Sequence, residues 1–249
     1  MSSISFNGEF GYEMIGVLPY AYYLHKNGKL ISTESSKDTK CFYFFSPNHI
    51  EKYEKRQFKD LSGFPIKDLH KPVFNDEWNP PPLKGQFANS DIVFNKPLCI
   101  ISNKYDKQWN KNPVNYLSLE TILSIIDKLK EDYTIVYSRP TNLIVEDGQI
   151  TADLKEKLKV KDGGALLIED IYDKKESFNT FQCRLYANCD KFISVQGGGS
   201  ILCSYFGGVN DIYAVLGGEV EQDSYKWYNK LSGAKINHHT SYDSLLKTV

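Results

Sequence analysis

Apolar and polar positions fall in alternating blocks along the chain, and the blocks predict strands and helices in turn. Ser3-Ile4-Ser5-Phe6-Asn7 reads as a short opening strand. It runs into Gly8-Glu9-Phe10-Gly11-Tyr12-Glu13 and then an apolar helical pattern from about Met14 to His25, closed by Asn27-Gly28. Lys40 to Phe45 reads as a buried second strand, and Pro47 to Phe58 as a short helix. From Gly63 to Lys96 the pattern is broken by Pro65, Pro72, Pro80, Pro81 and Pro82, which deny regular structure and predict an extended connection.

Beyond that stretch the alternation becomes regular. Strands are expected over Pro97–Ser102, Tyr133–Tyr137, Ala165–Ile168, Lys191–Val195 and Asp211–Leu216. Helices are expected over Leu117–Leu129, Ala152–Leu158, Phe178–Asn188 and Ser200–Phe206, with a loop around Gly148 and a closing helix over Ser241–Lys247. Strands alternating with helices of this length favour a parallel sheet covered on both faces. The expected architecture is α/β: two Rossmann-like halves with mostly parallel sheets and a cleft between them. The expected division places a small α/β domain at 1–95 and a Rossmann-like domain at 96–249.

Composition narrows the function classes. The chain has 249 residues with 30 basic and 31 acidic side chains, a net charge of −1, and so offers no bulk attraction for nucleic acid. The five cysteines are scattered, with no C-x-x-C pair, which signals neither a zinc site nor a redox dithiol. No leader pattern opens the chain and no run approaches membrane-spanning length, so a cytoplasmic protein without a transmembrane segment is expected. His238-His239 lacks acidic or cysteine partners at metal spacing and reads as a solvated turn.

The strongest chemical signal is Gln196-Gly197-Gly198-Gly199-Ser200, which follows a buried strand and precedes an apolar helix. At the carboxyl edge of a parallel sheet such a bend lets backbone amides reach a phosphate, with Ser200 adding a hydroxyl. A tight turn needing positive φ at a glycine is the plainer reading. The spacing matches neither a dinucleotide fingerprint nor a Walker loop. The opening turn, Gly8 to Glu13, repeats that placement after the first strand. Glu9 and Glu13 there either cap and solvate a helix start or include a general base for a sugar hydroxyl. Asn103, Lys104, Tyr105 and Trp109 crowd the loop after another strand, where Lys104 suits phosphate, Asn103 a hydroxyl, and the aromatics a ring. Arg139 closes a further strand, and its fork suits a diphosphate or, equally, a neighbouring acid.

With two Rossmann-like halves, no D-x-D and a glycine-rich turn in the second half, the chain resembles a GT-B glycosyltransferase. The Gly8–Glu13 segment is similar to the first turn of the fucosyltransferase-like branch, although no His-x-Arg-Arg pattern surrounds Arg139. The resemblance implies transfer of a sugar from a nucleoside diphosphate sugar to a glycan or other hydroxyl acceptor, with neither metal nor cofactor. It implies a donor site of Asn103, Lys104, Arg139, Gln196, Gly197, Gly198, Gly199 and Ser200. The acceptor side would be Gly8, Gly11, Tyr12, Tyr105 and Trp109, and Glu9 or Glu13 the base of an inverting reaction. A non-catalytic nucleotide- or sugar-binding protein and a nucleotide-sugar-modifying enzyme are the alternatives.

Overall fold

The computed structural model describes residues 1–57, 59–105, 113–139 and 154–249. It opens with β1 (Ser2–Ser5), then α1 (Phe10–Tyr12), one π-helical turn (Glu13–Val17) and α2 (Leu18–Lys26), with right-handed helical backbone held across each junction. The π turn has a local cause. Pro19 has no N–H to give the ladder, and the Leu18 N–H reaches back five residues to Glu13 O. Two carbonyls are thereby left over, and side chains from elsewhere take them: Tyr205 Oη donates to Met14 O at 2.8 Å and Trp78 Nε1 to Ile15 O at 2.7 Å.

β2 (Leu30–Ser36) and β3 (His49–Tyr53) complete a parallel sheet in the order β1-β2-β3. Here two sequence expectations are corrected. Lys40–Phe45, expected as a strand, begins as a 3-10 turn over Lys40–Tyr43 that drives Phe42 and Tyr43 into the core. Burial made the run apolar without making it extended. The second strand lies upstream in Leu-Ile-Ser-Thr-Glu-Ser-Ser, where the buried hydroxyls of Thr33 and Ser35 bond to His49 and Thr39. The Pro47–Phe58 segment, expected as a helix, carries β3 instead, because its backbone completes the ladder of β2 as a charged edge strand.

The connection is largely irregular, as its prolines require, with a 3-10 turn at Pro72–Phe74 and a short helix, α3 (Leu83–Phe87). The rest alternates. β4 (Leu98–Ser102), α4 (Leu119–Leu129), β5 (Thr134–Ser138), α5 (Leu154–Asp162) and β6 (Leu166–Leu167) form one wing. After α6 (Ile168–Ile171) and α7 (Phe178–Ala187) come β7 (Cys189–Val195), α8 (Gly198–Ser204), β8 (Val209–Tyr213), α9 (Gly218–Glu221), a 3-10 stretch (Ser224–Leu231), β9 (Lys235–His239) and α10 (Tyr242–Thr248). Among the described residues this sheet has six strands, all parallel, in the order β6-β5-β4-β7-β8-β9.

Strand residues alternate between two cores, the period expected of a sheet covered on both faces. Ile100, Phe192 and Ile212 face α7, α8 and the apolar side chains of the first sheet and its helices in one continuous core. Cys99, Ile101, Ile193 and Tyr213 face Ile122, Ile125, Ile126 and Leu245 on the other side. His238 and His239, expected in a solvated turn, are in β9. His239 is buried, its Nε2 3.1 Å from Asp211 Oδ1 and its Nδ1 2.9 Å from Ser244 Oγ, because the closing helix folds over the strand.

Candidate functional site

The strand order fixes where a ligand can lie. From β4 the chain winds outward through β5 to β6, and from β7 it winds the opposite way through β8 to β9. The crossovers therefore part above β4 and β7, leaving a crevice at their carboxyl ends, the switch point where open α/β sheets take ligands. Lys104 follows β4 and Gln196 follows β7. The Lys104 ammonium donates to Gln196 Oε1 at 3.3 Å across this crevice.

The bend after Gln196 is built from glycine for two reasons. Gly197 holds φ at +119°, and a Cβ on it would lie 3.0 Å from Lys104 Nζ. A Cβ on Gly198 would lie 2.6 Å from Phe10 Cδ1 and 3.2 Å from Gly11 N. The two glycine turns singled out in the sequence therefore touch, the opening turn pressing on the first turn of α8. Gly199 is exposed. Ser200 and Ile201 return their amides to Gly197 O, whereas the amides of Gly198 and Gly199 sit where a helix start supplies no intrahelical acceptor. Ser200 is fully enclosed and its hydroxyl is spent on Gly197 O at 2.8 Å, so it does not face the crevice.

The other expected residues divide. Asn103 is buried and clamps the chain behind the site, with Nδ2 on Leu117 O and Tyr137 Oη and Oδ1 accepting from Leu117 N. Arg139 pairs with Glu156 at 2.5 Å and lies over the Tyr105 ring at 5.4 Å, so the acid partner foreseen for it is present. Tyr105 in turn meets Tyr116 edge-on. Trp109 lies outside the described residues.

In the opening turn, Glu13 is fully buried. Arg56 Nη2 meets its Oε2 at 2.6 Å and Tyr43 Oη donates to its Oε1 at 2.8 Å. Arg56 also donates to Gly8 O at 2.9 Å and covers the Phe10 ring. Glu13 thus orients an arginine that holds the turn from below. Burial and the Glu13 carboxylate push the Tyr43 phenol far above its ordinary value. Gly8 is closed in by Phe6 and Lys59, while Glu9 and Tyr12 are half-exposed at the turn's rim. Burial, then the carboxylates of Glu9, Glu219 and Asp60, raise the Tyr12 phenol above its usual range.

Sequence reasoning passed over Arg56, Asn115 and Glu219. Glu219 accepts from Gln196 Nε2 at 2.8 Å and reaches Tyr12 electrostatically, which ties the loop after β8 to the site. Its signal was present: Gly217-Gly218-Glu219 follows a strand just as the other glycine turns do. Among the described residues no cluster of three His, Cys, Asp or Glu suits a metal ion, and no helix is long and apolar enough to cross a membrane.

No family model matches the chain, and no curated protein matches it in sequence. In three dimensions it is similar to the ADP-heptose LPS heptosyltransferase II of E. coli at 8% identity, covering 99% of this chain and 98% of that one, with a TM-score of 0.51. It is also similar to the iron-containing dodecameric glycosyltransferase TibC of enterotoxigenic E. coli at 14% identity, covering 85% of this chain and 57% of that one, with a TM-score of 0.50. A structure of TibC with ADP-D-beta-D-heptose gives 14% identity, 87% and 59% coverage and a TM-score of 0.50. This chain thus spans little more than half the length of TibC. The narrower likeness to fucosyltransferase-like enzymes has no counterpart in these three structures. At such identities the likeness is one of fold, and the fold that this chain shares with them is that of the GT-B glycosyltransferases.

Proposed function

We propose that the protein transfers a sugar from a nucleoside diphosphate sugar to a hydroxyl of a glycan or similar acceptor. Residues 96–249 take the donor and residues 1–95 the acceptor side. One observation carries the reading: the glycine bend after β7 lies at the switch point with Lys104 Nζ alongside, and the Glu9 turn is pressed against it. A diphosphate over Gly197–Gly199 meets main-chain amides and an ammonium, with Arg139 behind Tyr105 at the next strand end. The heptosyltransferase neighbours, one solved with ADP-heptose, support this class of donor.

In the proposed reaction Glu9 removes the acceptor hydroxyl proton, the oxygen attacks the anomeric carbon, and the bond to the diphosphate breaks with inversion. The nucleoside diphosphate leaves with the bonding pair. Fixed positive donors aimed at the departing oxygens stabilise that charge without a metal, and such preorganised contacts are commonly the largest catalytic contribution. The absence of any D-x-D acid pair supports the metal-free form.

Thermal-shift screening against UDP-, GDP-, ADP- and CMP-sugars, with and without EDTA, identifies the donor; stabilisation by one of the diphosphate sugars that survives EDTA is expected. Glu9→Gln is expected to lower transfer by at least ~10²-fold, the scale of general-base catalysis, with donor affinity nearly unchanged. Full transfer by that variant removes Glu9 from the mechanism.

A further inference from the structure

The crevice is crossed by a chain of amides whose orientations are forced, and Asn115 is the link that ties them to the backbone after β8. Its Oδ1 accepts from Val215 N at 2.8 Å and Leu216 N at 3.2 Å. Backbone N–H groups only donate, so this end of the amide must be oxygen. The Nδ2 end then faces Leu216 O at 2.7 Å and Gln196 Oε1 at 3.1 Å. The same Gln196 oxygen takes the Lys104 ammonium, which also only donates, at 3.3 Å. With its oxygen so placed, Gln196 must turn its Nε2 the other way, where Glu219 Oε2 accepts it at 2.8 Å. Each link in the series has one orientation that pairs donors with acceptors, and Asn115, the Lys104 ammonium and the Glu219 carboxylate all impose the same polarity on Gln196.

We propose that Asn115 is a positioning residue for the donor diphosphate. It holds Gln196 with its carbonyl toward Lys104, and so holds the Lys104 ammonium beside the Gly197 bend. It also pins the backbone that leads from β8 to Glu219. Were Gln196 to flip, its NH₂ would face both the Lys104 ammonium and the Asn115 NH₂, and its carbonyl would face the Glu219 carboxylate, three repulsions in place of three hydrogen bonds. Asn115 itself touches no ligand in this account and acts through Gln196. The proposal rests on the nucleotide-sugar reading of the site.

The test uses the full chain, with ADP, GDP and UDP as probes titrated calorimetrically into wild type, Asn115→Ala, Asn115→Asp, Gln196→Met and the Asn115→Ala/Gln196→Met double variant. The aspartate keeps acceptors for the Val215 and Leu216 amides but loses the donor to Gln196 Oε1 and to Leu216 O, and sets an oxygen against both. It is expected to fold cooperatively, melting below wild type because a buried oxygen faces Leu216 O, while binding the nucleoside diphosphate at least about tenfold more weakly, a coupling within the usual range for contacting residues. Asn115→Ala is expected to weaken binding by at least as much. Because the effect passes through Gln196, adding Asn115→Ala to Gln196→Met is expected to cost less than about twofold more. A folded Asn115→Asp that binds as wild type overturns the proposal, and so does an alanine effect that persists undiminished in the Gln196→Met background. Wild type that binds none of the three diphosphates overturns the nucleotide-sugar reading, and this inference with it. Wild type that binds, with insensitive variants, overturns this inference alone.

Discussion

Two glutamates four positions apart illustrate what a residue's surroundings decide. Glu9 ends the extended entry to the helix at the rim of the site, and Glu13 points inward to Arg56 and Tyr43. The sequence placed both in one glycine turn but could not say which faced in, because the answer lies in Arg56, more than forty residues away. Ser200 and Asn103 repeat the lesson. Their positions at strand ends were legible, but their polar atoms turn back to hold the backbone in shape. Polar residues at such edges serve either the ligand or the loop, and only the three-dimensional partner separates the two uses.

A titration follows at the same scale. Burial alone would raise the Asp211 carboxyl, but hydrogen bonds from His239 and Asn237 and the charge of Lys191 outweigh it and hold the group below its ordinary value. A carboxyl depressed in the folded state stabilises fully above its unfolded value of about 3.9 and loses that contribution as pH falls toward the folded value. Urea unfolding at about pH 6 and about pH 3 should therefore show a larger loss of stability in wild type than in Asp211→Asn. Equal losses would contradict the assignment.

At the scale of elements, the second sheet was readable except for β9, and the first only in its opening strand. β4, β5 and β7 are dominated by Val, Ile, Leu, Phe, Cys and Tyr between turn signals, as strands buried on both faces require. β2 hides the hydroxyls of Thr33 and Ser35 by pairing them with His49 and Thr39, so a buried strand carries a polar sequence. The π turn was equally silent, although Pro19 marks its cause. Its two surplus carbonyls make a sharp prediction. Tyr205→Phe and Trp78→Phe each leave one buried carbonyl without its donor, and each should cost about 1–3 kcal/mol in chemical unfolding. Losses well under that range would mean that water or a shifted backbone satisfies Met14 O and Ile15 O unaided.

Over the whole molecule, glycine marks where the two sheets and their helices come together. Gly11 and Gly198 are in contact, and a methyl group on Gly198 would have no room against Phe10 and the Gly11 backbone. The glycine runs themselves were legible, but their mutual contact was not, since one sits near the start of the chain and the other near residue 200. The contact brings the rim that carries Glu9 and Tyr12 to the crevice between β4 and β7, so that one ligand can meet residues from both ends of the sequence. The same topology makes Lys104, Gln196 and Glu219, far apart along the chain, members of one polar series.

That arrangement is tested most directly by amide hydrogen exchange of the wild-type chain with and without a saturating nucleoside diphosphate. Slowed exchange should centre on residues 197–199, with a second, smaller effect at residues 8–12 where the opening turn rests against them. Protection confined to another part of the surface, or exchange at the 197–199 bend unchanged while the ligand is bound, would contradict the proposed placement of the donor.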